Sequence, residues 1–176
     1  TGVEDRVKQV WFAGMHSNVG GGYPEDNLAY VTLNWMISEV TADTADKGLV
    51  FNKQKLKVIR QRAEPIGKLY DSRRGAAMYY RYRPRNITAL CNEEVRGGKI
   101  AVGIPKIHHS VISRIADSQV GYSPPGLPDD FEVVDAPQPF VESGADKATR
   151  ASLLKRVEDH VAWRRVIYVF LLLATY

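Results

Sequence analysis

Trp11-Phe12-Ala13-Gly14-Met15-His16-Ser17-Asn18-Val19-Gly20-Gly21-Gly22-Tyr23 puts one histidine just beyond an apolar run and just before three consecutive glycines. Unperturbed imidazole titrates near pH ~6.5, so His16 could take and return a proton near neutrality. A histidine on a turn at the end of a buried strand suits a general base that must reach a serine held on another strand. The bland alternative is a turn histidine whose ring bonds to backbone. The glycines invite a second chemistry, since backbone N–H groups at a helix N-terminus can cradle phosphate. Neither G-x-G-x-x-G nor the P-loop spacing with its Lys is present, however, so loop freedom beside His16 is the better role. His108-His109-Ser110 is a third place to look. Adjacent histidines on a helix point about 100° apart and do not chelate one ion together, and no other cluster of His, Cys or Glu completes a site. These residues read as structural, and neither a metal nor a cofactor is expected. No G-x-S-x-G elbow occurs in the chain, so His16 has no evident serine partner within it.

The elements that must position His16 follow from pattern. Val7 to Phe12, rich in β-branched and aromatic residues, reads as a short strand ending at Gly14. Gly20-Gly21-Gly22 reads as a turn, because three glycines in a row are unfavourable inside a helix or strand. Asp26 or Asn27 can cap a helix over about Leu28 to Val40, whose apolar positions cover more than one face. Strand, glycine-rich loop and helix are the parts found at the edge of an α/β sheet. Lys55 to Arg62 reads as a short helix, and Tyr79 to Pro84 alternates aromatic and basic residues as an exposed strand or arm would. A further helix is expected to open after Pro105, with Ile107, Val111, Ile112 and Ile115 on one side. Tyr122 to Pro128 is a proline-built loop, and Pro137 to Ala145 a second loop or linker.

The last element is a helix from about Lys147 onward, amphipathic first and then uncharged from Val166 to Tyr176. That run is shorter than the roughly 20 apolar residues a bilayer span needs. Trp163 and Arg164-Arg165 ahead of it suit the cytoplasmic flank of a membrane helix, so the start of a transmembrane segment is one expectation and a buried terminal helix the other.

The 176 residues are 44% hydrophobic and 25% charged, the balance of a globular protein. Cys91 is the single cysteine, which excludes an intrachain disulfide and suits a reducing compartment. The net charge of +4 is unevenly placed: Lys53 to Arg85 holds eleven Lys/Arg against Glu64 and Asp71, a net +9, and the remainder is −5. Such a segment favours anionic partners. A solvated face ranks first for it, an anionic membrane surface second and nucleic acid last.

The stretch from Val10 to Trp35-Met36 resembles the histidine-motif region of a bacterial and fungal α/β-hydrolase domain family that includes the Tle-type phospholipase effectors of type VI secretion. The family pattern W-F-x-G-x-H-S-D-V-G-G-G-Y is met by Trp11, Phe12, Gly14, His16, Ser17, Val19, Gly20, Gly21, Gly22 and Tyr23. Weaker matches follow at Asp71-Ser72-Arg73, at Tyr80 to Arg85, and at His109-Ser110-Val111 with Arg114. Asn18 departs from the pattern's Asp. It serves equally well if that residue only shapes the loop, and less well if it tunes the histidine.

The resemblance implies a Ser-Asp-His hydrolase with the histidine last in chain order, so that His16 is the catalytic base and the nucleophile and acid lie upstream of Thr1. The implied fold is α/β: residues 1–50 as the C-terminal end of an α/β-hydrolase-like domain, 51–145 as a basic, loop-rich extension, and 146–176 as the C-terminal helix. The implied substrate is a lipid or other ester, with an anionic membrane surface as a further partner and the isolated fragment inactive. The implied location is cytoplasmic, membrane-associated or that of a secreted effector. The alternative is a non-catalytic, membrane-associated or interaction module with a degenerate hydrolase fold.

Overall fold

A computed structural model describes residues 8–42, 49–71, 85–91, 94–95, 98–99, 103–117, 121–138 and 142–175. Two compact units share the chain, one drawn from residues 12–71 and 108–120, the other from 1–11, 72–107 and 121–176. The expected arm at Tyr79 to Pro84 and the matched residues Ser72 and Arg73 lie outside the described residues.

The first unit holds the histidine loop. It contains α1 (His16–Gly20), α2 (Asn27–Ala42) and α3 (Lys53–Arg62). Leu28, Val31 and Trp35 make one buried face of α2 and Ile37 is buried on the opposite side, which fixes the helix within its unit while Leu33 and Met36 stay exposed. Phe12 tilts against Trp35 with ring centroids 5.4 Å apart and stacks on His108 at 4.6 Å. Asn52 caps α3, its side chain accepting from Gln54 N and Lys55 N. The α3 to α2 fastening is polar: Arg62 donates to Tyr30 Oη at 2.8 Å and to Asp26 Oδ1 at 2.7 Å, with its guanidinium over the Tyr30 ring.

The second unit holds α4 (Ile87–Cys91), the antiparallel pair β2 (Glu94–Val95) and β3 (Gly98–Lys99), and a three-stranded sheet. In that sheet β1 (Val10–Trp11) and β4 (Lys106–His108) run parallel, Trp11 facing Ile107, and β5 (Glu132–Val134) lies beyond β4. The arrangement is broadly α/β. The last helix, α6 (Gly144–Ala174), starts three residues before the expected Lys147 because Ser143 and Asp146 form a reciprocal capping box. Arg150, almost buried on α6, is paired with Glu142 at 2.8 Å. Among the described residues no helix is long and apolar enough to cross a membrane.

One expected helix is replaced. The stretch after Pro105 begins as strand β4 and only then becomes α5 (His109–Ala116). Ile107 is β-branched and 1% exposed, and it is committed to the ladder with Trp11 rather than to a helix face. His108 makes the switch. Its backbone is extended, and its Nδ1 accepts from Ser110 N at 3.2 Å and lies 2.8 Å from Ser110 Oγ, so the ring acts as the N-cap of α5. That bond requires a bare Nδ1, which puts the proton of the neutral ring on Nε2.

Candidate active site

Gly14 turns the chain out of the strand region with φ +113°, a conformation that L side chains rarely adopt. A Cβ there would also collide with the Asn18 side chain. Two separate constraints thus demand glycine. Met15 then stands as the N-cap of α1 and accepts from Asn18 N at 2.9 Å and Val19 N at 3.0 Å. His16 is the first helical residue, so the imidazole projects from a hydrogen-bonded turn of helix rather than from the loose turn its glycines suggested. Of the three glycines, Gly20 completes α1, and only Gly21 and Gly22 turn with φ +89° and +114°.

The His16 side chain is exposed, and among the described residues no hydroxyl or carboxylate hydrogen-bonds its ring. Next to it, Asn18 is 3% exposed. Its Nδ2 donates to Tyr70 O at 2.9 Å and its Oδ1 accepts from Tyr70 N at 3.0 Å, so the carboxamide imitates one rung of a β-ladder. This pairing pins the helix that carries His16 to a segment 52 residues away.

The same segment grips the loop again further on. The Tyr70 ring stacks on Tyr23 with centroids 4.2 Å apart and planes 15° from parallel. Lys68 Nζ donates to Glu25 Oε1 at 2.9 Å and also lies over the Tyr70 ring. The Lys68 hydrogen bond draws the Glu25 carboxyl below its ordinary pKa, and the reciprocal bond from Glu25 raises the Lys68 ammonium. Behind them stands Arg114 of α5, 3% exposed, whose Nη1 donates to Pro65 O at 2.9 Å and Gly67 O at 2.7 Å. Gly67 is packed so closely that a Cβ would come 2.8 Å from Asn27 Cβ. A chain of contacts therefore runs from α5 through residues 65–70 to both ends of the loop bearing His16.

The far side of the loop opens on a groove of about 370 Å³ lined by Val19, Gly21, Ala29, Tyr30, Leu33 and Met36. Its apolar walls could shelter part of an aliphatic substrate beside α1.

A family model described as the type VI secretion phospholipase effector Tle1-like catalytic domain matches residues 2–39. The match suggests a phospholipase-type hydrolase. Its residues run from ahead of β1 through α1 into α2, and so include His16, Asn18 and the groove-lining helix. No curated protein and no solved structure matches the chain significantly.

Of the residues singled out from sequence, Gly14, His16, Asn18 and Tyr23 share the loop, and Arg114 supports it through the 65–67 carbonyls. Tyr70, Lys68 and Glu25 carried no signal in sequence, because their roles come from pairings across 43 to 52 positions. His109 and Ser110 belong to the start of α5, where His108 caps and Ser110 is buried.

Proposed function

We propose that His16 is the general base of a serine hydrolase that cleaves ester bonds of lipids. The reading rests on one observation: an exposed imidazole, first residue of a helix that is pinned by a buried carboxamide, inside the stretch that the phospholipase-effector model matches. The serine would attack the ester carbonyl, His16 would take its proton and return it to the leaving alcohol, and an acid would orient the ring. No G-x-S-x-G elbow occurs in residues 1–176, so this reading requires a serine and an acid from outside them. The groove beside α1 supports a substrate with an apolar arm. On α3, Lys53, Lys57 and Arg60 follow one another at helical spacing on the exposed surface, a face suited to anionic headgroups.

Asn18 would count for a degenerate enzyme if its position served only to tune the histidine. Its carboxamide instead has a structural task at Tyr70 that needs both a donor and an acceptor. The test is labelling of the full-length protein with a fluorophosphonate probe. Wild type should label, and His16→Ala should lose the label. Equal labelling of the two would remove His16 from the chemistry.

A further inference from the structure

The last stretch of α6 exposes apolar side chains over more than half of its circumference. At 100° per residue, Trp163, Val166, Ile167, Val169, Phe170, Leu172 and Leu173 spread over about 220° of the helix. All seven are exposed, with Trp163 at 69%, Phe170 at 71% and Leu173 at 72%. An amphipathic helix shows a stripe of about 100°, which one neighbouring helix or groove can cover. A belt more than twice that width cannot be covered from one side. The surface needs a surrounding medium.

We propose that this part of α6 inserts into a lipid bilayer. Arg164 and Arg165 precede the uncharged residues, and Trp163 stands next to them. Arginine at headgroup phosphates and tryptophan at the interface are the side chains that fix a helix at that depth. The uncharged helical residues Val166–Ala174 follow directly on Arg164 and Arg165, so the apolar surface begins where the charged one stops. The ligand is therefore a membrane whose headgroups are anionic, matched to the arginine pair. This inference does not depend on His16 being catalytic, because binding is read without turnover.

The experiment is sedimentation of the full chain with vesicles of phosphatidylcholine alone and with 30 mol% phosphatidylglycerol, followed by tryptophan emission. The protein should pellet with the anionic vesicles, its emission should shift to the blue, and the shift should vanish in Trp163→Phe. Trp35 is buried and Trp11 half-buried, so Trp163 is the reporter. The double change Phe170→Glu with Leu173→Glu touches only exposed positions and should lower vesicle binding at least tenfold with the circular-dichroism melt unchanged. His16→Ala should bind like wild type, which separates this result from the fate of the hydrolase reading. Protein that stays in the supernatant would overturn the proposal, as would undiminished binding by the double variant. A blue shift that needs no vesicles and grows with protein concentration would overturn it too, by showing that a second copy covers the helix.

Discussion

Asn18→Asp is a change of one atom that separates the two tasks of the Asn18 carboxamide. A carboxylate keeps the acceptor half, and the bond from Tyr70 N–H becomes charge-assisted. It loses the donor half and leaves an anionic oxygen facing Tyr70 O, where Nδ2 now sits at 2.9 Å. An unsatisfied buried carbonyl costs about 1–3 kcal/mol, and a carboxylate at a position only 3% exposed adds desolvation, against about 1 kcal/mol recovered from the stronger acceptor bond. The expected net loss is about 2 kcal/mol at pH 7, or roughly thirtyfold in the folding equilibrium. Protonation reverses it, because the carboxyl O–H can again donate to Tyr70 O. The introduced group therefore has a folded-state pKa above the unfolded value of about 3.9, by about 1.5 units for a 2 kcal/mol effect. For an acid with a raised folded pKa, the deficit is absent below the unfolded pKa and grows as pH rises, here from about pH 4 to about 5.5. Urea denaturation of both proteins at pH 4 and pH 7 measures the difference. A variant that matches wild type at pH 7 within about 0.5 kcal/mol, or loses the same amount at both pH values, would refute the ladder-rung account of Asn18.

Gly14→Ala combines a positive φ with a Cβ driven into Asn18, so it should lose about 2 kcal/mol or more in chemical denaturation. Arg114→Met removes the donor shared by Pro65 O and Gly67 O and should lower stability by about 2–4 kcal/mol, with faster amide exchange at Tyr70 as the local sign. In a titration followed by NMR, Glu25 should ionise below the ordinary 4.5, and Lys68→Gln should move it back up. The Glu25–Lys68 bond is present above the unfolded carboxyl pKa and lost as pH falls through the lowered one. On the other side it is present below the ordinary lysine value of 10.5 and lost as pH rises through the raised one, so the loop clamp spans the neutral range.

What could be read from the chain ahead of its structure was local. Helix α2 announced itself through an Asp-Asn cap signal ahead of a run of apolar positions, and α3 through the helix formers of Lys55 to Arg62, although the helix starts earlier, at Lys53 behind the Asn52 cap. The order strand, glycines, helix around His16 was equally visible, since each piece is decided by residues within a turn or two. The α5 region misled because an isolated apolar run fits strand and helix alike, and only pairing with Val10 and Trp11, almost a hundred residues earlier, turns Lys106–His108 into a strand. A histidine as N-cap is also outside the usual Ser, Thr, Asp and Asn signal.

The site shows the same division, with a functional consequence. Nothing adjacent to His16 explains why its helix should hold still: five residues make a marginal helix, its N-cap offers no side-chain bond, and two of the next residues are glycines with positive φ. Rigidity is supplied from a distance, by Tyr70 on Asn18 and Tyr23, by Lys68 on Glu25, and by Arg114 on the backbone that leads to them. On the hydrolase reading proposed above, His16 as general base has to be held to within a fraction of an ångström of its partner, while its own ring must stay unobstructed. Placing the restraints on residues 18, 23 and 25 and leaving residue 16 untouched meets both demands. On that reading, changes at Tyr70 or Arg114 should act on the placement of the imidazole, whereas a change at His16 should alter chemistry and leave the loop in place.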